Sequence, residues 1–235
     1  MLDILAASNF DGLLVPRSVL GRFYPWLHLL SPKWALTNSD LIFPEDDFDK
    51  FSAAWIPYIC HCNAYTEIFP VLEKKYLFAL SHQDDIKEDD RFYYESRLAS
   101  HIVVFFLRGV VSNDSPLLKK ALSKKTEKHV FAFLGSCLQQ ENTPEDVIKN
   151  AQKIWDQYFF ERVKGRTLAK EQKIAVEGFS EWVESPYVNI DWKLGYLGAL
   201  IDMGVCPRDT FSLSRGLVDA SQTHLGQVLV ILKNL

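Results

Sequence analysis

Seven apolar positions between Val147 and Val163 share one face of an α-helix: Val147, Ala151, Ile154, Trp155, Tyr158, Phe159 and Val163 follow the spacing i, i+4, i+7, i+8, i+11, i+12, i+16. A stripe of this width has to be buried against another element. The ends are marked as well. Thr143 suits the N-cap and Pro144 the first turn, Glu145 and Asp146 meet the positive end of the helix dipole, and Gly165 suits the left-handed position that closes the helix. A helix from Pro144 to Lys164 is therefore expected, and it sets the pattern for the rest of the chain.

Downstream, 168–184 puts Ala175, Phe179, Trp182 and Val183 on one side, and Ser185-Pro186 ends it because proline disfavours helix in the residue before it. Residues 191–203 carry Trp192, Tyr196, Ala199, Leu200 and Met203 at helical spacing, with Gly204 as the stop, and Pro207 is expected to open a further helix through Leu217 and Val218. Upstream, the same rhythm predicts helices over 16–30, 32–38, 47–62, 66–81, 90–110, 115–122 and 124–140. The stretch from Ile102 to Val111 is rich in β-branched residues and would suit a buried strand. Tyr94, Leu98, Ile102, Phe105 and Phe106 nevertheless continue one 3.6-residue stripe, which favours helix. No alternating run bounded by hairpin turns supports strands elsewhere.

Short connections and helix starts near residues 124, 144, 168, 190, 207 and 223 suggest hairpins of about 35 to 45 residues. The expected fold is all-α, with irregular stacked helical hairpins of the TPR/HEAT-like α-solenoid type, and an irregular helical bundle is the alternative. The whole chain, 1–235, is expected to form one helical-repeat domain, with the acidic loop 84–90 as the place for a subdomain break. The last segment, from Thr223, aligns Leu225, Val228, Leu229 and Leu232 without a polar closing element, so a covering neighbour is expected and the chain reads as a C-terminal fragment or a stand-alone relative.

A hydrophobic content of 48% with 24% charge allows a substantial core, and 16 Phe, 9 Tyr and 6 Trp make large rigid side chains its main filling. Residues 1–118 carry 10 basic and 16 acidic side chains, and residues 119–235 carry 16 and 14. The longest apolar run, Ile102 to Leu107, falls far short of the roughly 20 residues that cross a bilayer. The cysteines Cys60, Cys62, Cys137 and Cys206 form no C-x-x-C pair, and no signal-peptide pattern opens the chain, so a reduced, cytoplasmic setting without a membrane is expected.

Cys60-His61-Cys62 offers zinc-ligand chemistry, but on a helix residues two apart point about 200° apart, which keeps the two sulfurs from one ion. His28, His61, His82, His101, His129 and His224 stand singly, without ligand spacing, and are expected at packing edges. Phosphate-cradle and nucleophile-elbow motifs are missing from the sequence, and no carboxylate pair is singled out. No catalytic residue, metal or cofactor is expected. Gly195 and Gly198 are expected to permit close helix approach. Trp55, Trp155, Trp182 and Trp192 lie in register with apolar stripes and read as core. The one polar cluster is Lys119, Lys120, Lys124, Lys125 and Lys128, which suits phosphates or an acidic protein surface. Glu127 interrupts it, and a solvated face is its ordinary reading.

Phe23-Tyr24-Pro25-Trp26, Leu30-Ser31-Pro32-Lys33-Trp34, Ile42-Phe43-Pro44, Ala53-Ala54-Trp55 with Tyr58, and Tyr65, Phe69, Leu72 and Tyr76 form a series of aromatic and proline landmarks. With Phe106-Leu107-Arg108-Gly109, Leu117-Leu118, Gly178-Phe179-Ser180-Glu181-Trp182 and Asp191-Trp192, this series resembles the C-terminal helical-repeat region of bacterial antiviral STAND-type NTPases and related defence proteins. The resemblance rests on packing residues. It implies a sensor or scaffold beside an NTPase core and an effector, both of which this chain lacks. A non-enzymatic protein-recognition module with a protein partner, viral or from a larger parent protein, is therefore expected. Nucleic-acid binding through the lysine cluster is the first alternative, and a small α-helical enzyme is the second.

Overall fold

Proline and glycine punctuate the chain closely enough that most helices stay under four turns. The computed structural model describes residues 14–141, 143–205 and 210–235, and among them the fold is all-α, with no strand. Tertiary contacts divide it into two units, one ending at Thr126 and the other starting at Glu127. The first holds α1 (Leu14–Arg22), α2 (Tyr24–Leu30), α3 (Pro32–Thr37), α4 (Ser39–Ile42), α5 (Phe48–His61), α6 (Phe69–Ser81), α7 (Glu88–Leu107) and α8 (Pro116–Ala121). The second holds α9 (Glu127–Cys137), α10 (Glu145–Tyr158) with a π-helical turn Phe159–Val163, α11 (Lys170–Glu177), α12 (Ser180–Glu184), α13 (Ile190–Asp202) and α14 (Thr210–Asn234).

In the first unit α1 packs along α5, α5 also meets α7, and α6 meets α8. The α1–α5 crossing depends on Gly21, where a Cβ would lie 2.0 Å from the carbonyl oxygen of Ala54. Around it stands an aromatic core in which ring edges meet ring faces: Phe43 on Trp55 (5.6 Å, 86°), Trp55 on Tyr76 (4.9 Å, 82°) and Tyr76 on Phe105 (5.4 Å, 88°). Each such pair adds about 0.5 to 1.5 kcal/mol beyond the area it buries.

In the second unit Trp155 is the hub, with Phe131 5.0 Å, Phe179 4.4 Å and Trp182 5.8 Å from it. Helix α9 packs on α11 and α12, and α12 packs on α14. Gly216 permits the last contact, since a Cβ there would lie 2.5 Å from Val183 O.

The stripe from Ile102 is helical to Leu107, where Gly109 at φ 71° closes it: Gly109 N–H donates to Phe106 O (2.9 Å) and Val110 N–H to Phe105 O (2.9 Å). Gly204, at φ 70°, ends α13 in the same way, with Val205 N–H on Leu200 O at 3.0 Å.

Several expectations need correction. Thr143 does not cap α10; its hydroxyl turns back to donate to Gln140 O at 2.9 Å, and Pro144 takes the cap position. The helix expected over 168–184 breaks at Gly178 and Phe179 into α11 and α12. Gly195 and Gly198 have open space where a Cβ would sit, so neither serves a close approach. The two helices expected at the end of the chain meet within α14 at a kink, where His224 has non-helical backbone (φ −128°, ψ 37°), while Cys206 and Pro207 lie outside the described residues. The stretch 84–90 lies inside the first unit, where Arg91 donates to Asp84 O (3.1 Å) and Ile86 O (2.7 Å).

Glycine substitutions separate close contacts from open ones. Gly216→Ala is expected to cost about 1 to 3 kcal/mol because backbone, with no flexible side-chain end to yield, occupies the space. Gly195→Ala, on the exposed side of α13, is expected to add up to about 1 kcal/mol through helix propensity. Urea unfolding of the two variants beside the parent chain measures both.

Candidate functional site: exposed apolar faces on each unit

The polar groups inside the first unit form a closed chain. His101 on α7 is 1% exposed, and both ring nitrogens are engaged: Nε2 lies 2.9 Å from Cys62 O and Nδ1 2.8 Å from the Tyr76 hydroxyl. Because a carbonyl only accepts, the bond pattern assigns the proton to Nε2, so Nδ1 accepts from Tyr76 and Tyr76 accepts from Tyr58 at 3.2 Å. Arg97 Nη2 adds a second donor to Cys62 O at 2.7 Å, and the Cys62 thiol donates to Arg22 O at 3.0 Å. Burial holds the imidazole down to about 4 and pushes the Cys62 thiol up to about 11. With the imidazole and the thiol uncharged beside the Arg97 guanidinium, the group clasps the end of α5, and its thiol is not an activated nucleophile. His101 is thus a core residue; its apolar neighbours Leu98, Ile102 and Phe105 were the signal that it lies on a buried stripe.

Cys60 is half-buried and Cys62 buried just beyond the helix end, and among the described residues no three His, Cys, Asp or Glu side chains gather to hold a metal ion. Of the lysine cluster, Lys119 pairs with Asp114 at 3.0 Å, Lys125 pairs with Asp84, and Lys120 donates to the Ser81 hydroxyl. Lys124 is exposed, and Lys128 belongs to the second unit. The acidic partners Asp84 and Asp114 offset part of the charge that phosphates would need. Trp55, Trp155 and Trp182 are buried; Trp192 is half-buried and donates to Asp156 Oδ1 at 2.9 Å. Among the described residues no helix is long and apolar enough to cross a membrane.

Two surfaces stand out on the outside of the units. On α2 of the first unit, Trp26, Leu29 and Leu30 are 62%, 69% and 76% exposed. Beside them Pro25, Trp26, Leu29, Pro32, Tyr65 and Ile68, with His28 and Glu67, line a groove of about 330 Å³. On α14 of the second unit, Phe211 and Val218 before the kink at His224 and Leu225, Leu229 and Leu232 after it are all more than half exposed. The opposite side of that helix, with Leu213, Gly216, Leu217 and Ala220, is buried. Arg215 lies over the Phe211 ring at 5.4 Å and pairs with Glu184 at 2.8 Å, and His224 at the bend pairs with Asp191 at 3.2 Å.

The sequence showed the apolar stripe at the chain's end and did not single out the α2 groove. Its residues come from α2, the start of α3 and the turn before α6, a separation that local periodicity does not bridge. Fold and surface define an all-α chain of two helical units with an open apolar face on each. No family model, curated protein or solved structure matches it.

Buried His101 and half-buried Glu127 give opposite pH dependences. Unfolded His101 takes up its proton near pH 6.5, whereas the folded imidazole waits until about 4, so the unfolded state binds more protons between these values and stability falls as pH is lowered through the window. About 3 kcal/mol is at stake, and His101→Gln is expected to remove that slope from the stability–pH curve. Glu127 works the other way. Burial, offset in part by Arg162, raises its carboxyl from the ordinary 4.5 to about 7, so the folded state binds the extra proton and stability falls as pH rises from 4.5 to 7. Glu127→Gln is expected to raise the thermal midpoint at pH 8 and leave it nearly unchanged at pH 4, as read by circular dichroism melts.

Proposed function

We propose that this chain is a non-enzymatic protein-recognition module that docks a folded protein partner through the outer face of α14. The observation that carries this reading is the set of exposed apolar residues on α14, Phe211 and Val218 before the kink at His224 and Leu225, Leu229 and Leu232 after it, on segments whose other sides are packed. A cluster of exposed apolar side chains of this kind marks an interaction site. The absence of lysine and glutamate from the stripe itself fits the centre of an interface, where charged groups are depleted.

The landmarks that resemble the helical-repeat region of bacterial antiviral STAND-type NTPases supply the setting: a sensor segment whose partner is a viral protein or the remaining domains of a larger parent. In that setting the module contributes binding energy and shape, and the chemistry belongs to another polypeptide. A reduced, cytoplasmic location belongs to the same proposal.

The test is capture from virus-infected and uninfected bacterial extracts after nuclease treatment, with the parent chain and a Leu225→Glu/Leu232→Glu variant run in parallel. A discrete protein held by the parent chain and lost by the variant is expected. Retention by both baits removes α14 from the interface. If only nucleic acid is recovered before nuclease, and Lys119, Lys120, Lys124, Lys125 and Lys128 changed together to Gln abolish it, the lysine cluster is the binding surface instead.

A further inference from the structure

We infer that the α2 groove of the first unit binds an extended, proline-containing polypeptide segment that carries one lysine or arginine. The inference goes beyond the α14 interface, uses none of its residues, and shares with that reading only that the partner is a polypeptide.

Size limits the occupant first. A cavity of about 330 Å³ is at the small end of ligand sites, enough for a few side chains. An amphipathic helix is about 10 to 12 Å across and lays several turns into a channel, more than a cavity of this volume takes in. A short extended segment fits.

The lining chooses among extended segments. Its apolar part is flat and rigid: the rings of Pro25 and Pro32, the Trp26 indole and the Tyr65 phenol, over Leu29 and Ile68. Flat rings pack well against prolyl rings, and a polyproline segment arrives already extended, so little chain entropy is lost on binding. The polar part of the lining points the same way. Trp26 Nε1–H and the Tyr65 hydroxyl are donors, His28 has a ring N–H, and none of the three has a partner among the described residues. A polyproline backbone presents carbonyl oxygens with no internal hydrogen bonds and lacks N–H groups at its prolines. A lining of free donors meets that need, whereas a strand, which also brings its own donors, would leave them facing donors.

Charge fixes the last feature. Glu67 is the one carboxylate in the lining, no lysine or arginine lines the groove, and Glu67 has no ion-pair partner among the described residues. A cation held between that carboxylate and the exposed face of Trp26 or Tyr65 gains both a charge pair and a cation–π contact. An acidic side chain placed beside Glu67 would meet its charge instead.

The experiment is isothermal titration of the full chain with three synthetic peptides: RPLPPLP, its counterpart QPLPPLP, and an amphipathic helical peptide of matching charge. Saturable binding of the first is expected. It should weaken at least about fivefold for QPLPPLP and equally for Glu67→Gln, and at least about tenfold for Trp26→Ala, since aromatic anchors carry most of the energy at such sites. Trp26 is largely exposed, so its loss leaves the fold intact, which circular dichroism verifies; Tyr65→Phe, expected to lose a few-fold by removing one donor, is the gentler control. No saturable heat up to millimolar peptide, equal binding of RPLPPLP and QPLPPLP, or preference for the helical peptide overturns the inference. Leu225→Glu/Leu232→Glu should bind RPLPPLP like the parent chain, so this site and the α14 interface fail or succeed separately.

Discussion

A protein built from many short helices has many helix ends, and each end leaves carbonyl groups without a partner inside the helix. Buried among rings, such a group costs about 1 to 3 kcal/mol if nothing donates to it. The side chains that solve this problem organise both units. Tyr24 donates to Ala35 O (3.1 Å), Arg97 and His101 to Cys62 O, and Thr126 to Ala121 O (2.8 Å). In the second unit Ser185 donates to Leu138 O (2.7 Å) and Lys193 to Ser185 O (2.7 Å), linking the ends of α9 and α12 to α13. Lys193 is buried, and burial lowers its pKa, so the ammonium is kept by a single well-placed carbonyl with the charge of Asp219 in its favour. The price of short helices is a set of buried donors with exact addresses.

That requirement explains which parts of the structure were legible in the sequence. Apolar stripes are local, so the all-α fold and most helix spans follow from periodicity: Asp47 caps α5 by accepting from Lys50 N–H, and Trp155 with Phe131 and Phe179 fills the core as their register implies. Partners distant in sequence were not legible. Nothing near Gly21 or Gly216 announces that backbone lies against them, while Gly195 and Gly198, in a run that looks built for close approach, face open space. His101 reads as one polar residue among six scattered histidines until Cys62, thirty-nine positions away, supplies the carbonyl. Lys125 looked like part of a basic cluster, and Asp84, forty-one positions away, pairs with it.

The same logic separates the second unit's interior from its outer face. The buried side of α14 carries Leu213, Gly216, Leu217 and Ala220 before the kink and Val228 and Ile231 after it, and Gly216 lets the helix lie close to α12. Its outer residues have no such fit. Arg215 covers part of Phe211 while holding Glu184, His224 contacts Asp191 at the bend, and buried Val228 and Ile231 hold the segment that carries the exposed leucines that follow. A face held in place before binding loses less freedom when a partner arrives.

Tryptophan shows most directly where the molecule has spent its polar groups and where it has not. Trp182 lies in the core of its unit and directs its N–H to Phe131 O at 3.0 Å; half-buried Trp192 gives its N–H to Asp156, which also accepts from the Tyr196 hydroxyl at 2.6 Å. Trp26 differs in every respect. It has no ring partner and no hydrogen-bond acceptor among the described residues, and more than half of it faces solvent. A tryptophan contributes to a fold by burying a large ring and satisfying one donor, and Trp26 does neither. An indole in that state, set beside two prolines, a tyrosine and an unpaired carboxylate, has its stabilising interactions still to make, and a ligand that brings a flat apolar surface, carbonyl acceptors and one positive charge supplies all of them at once.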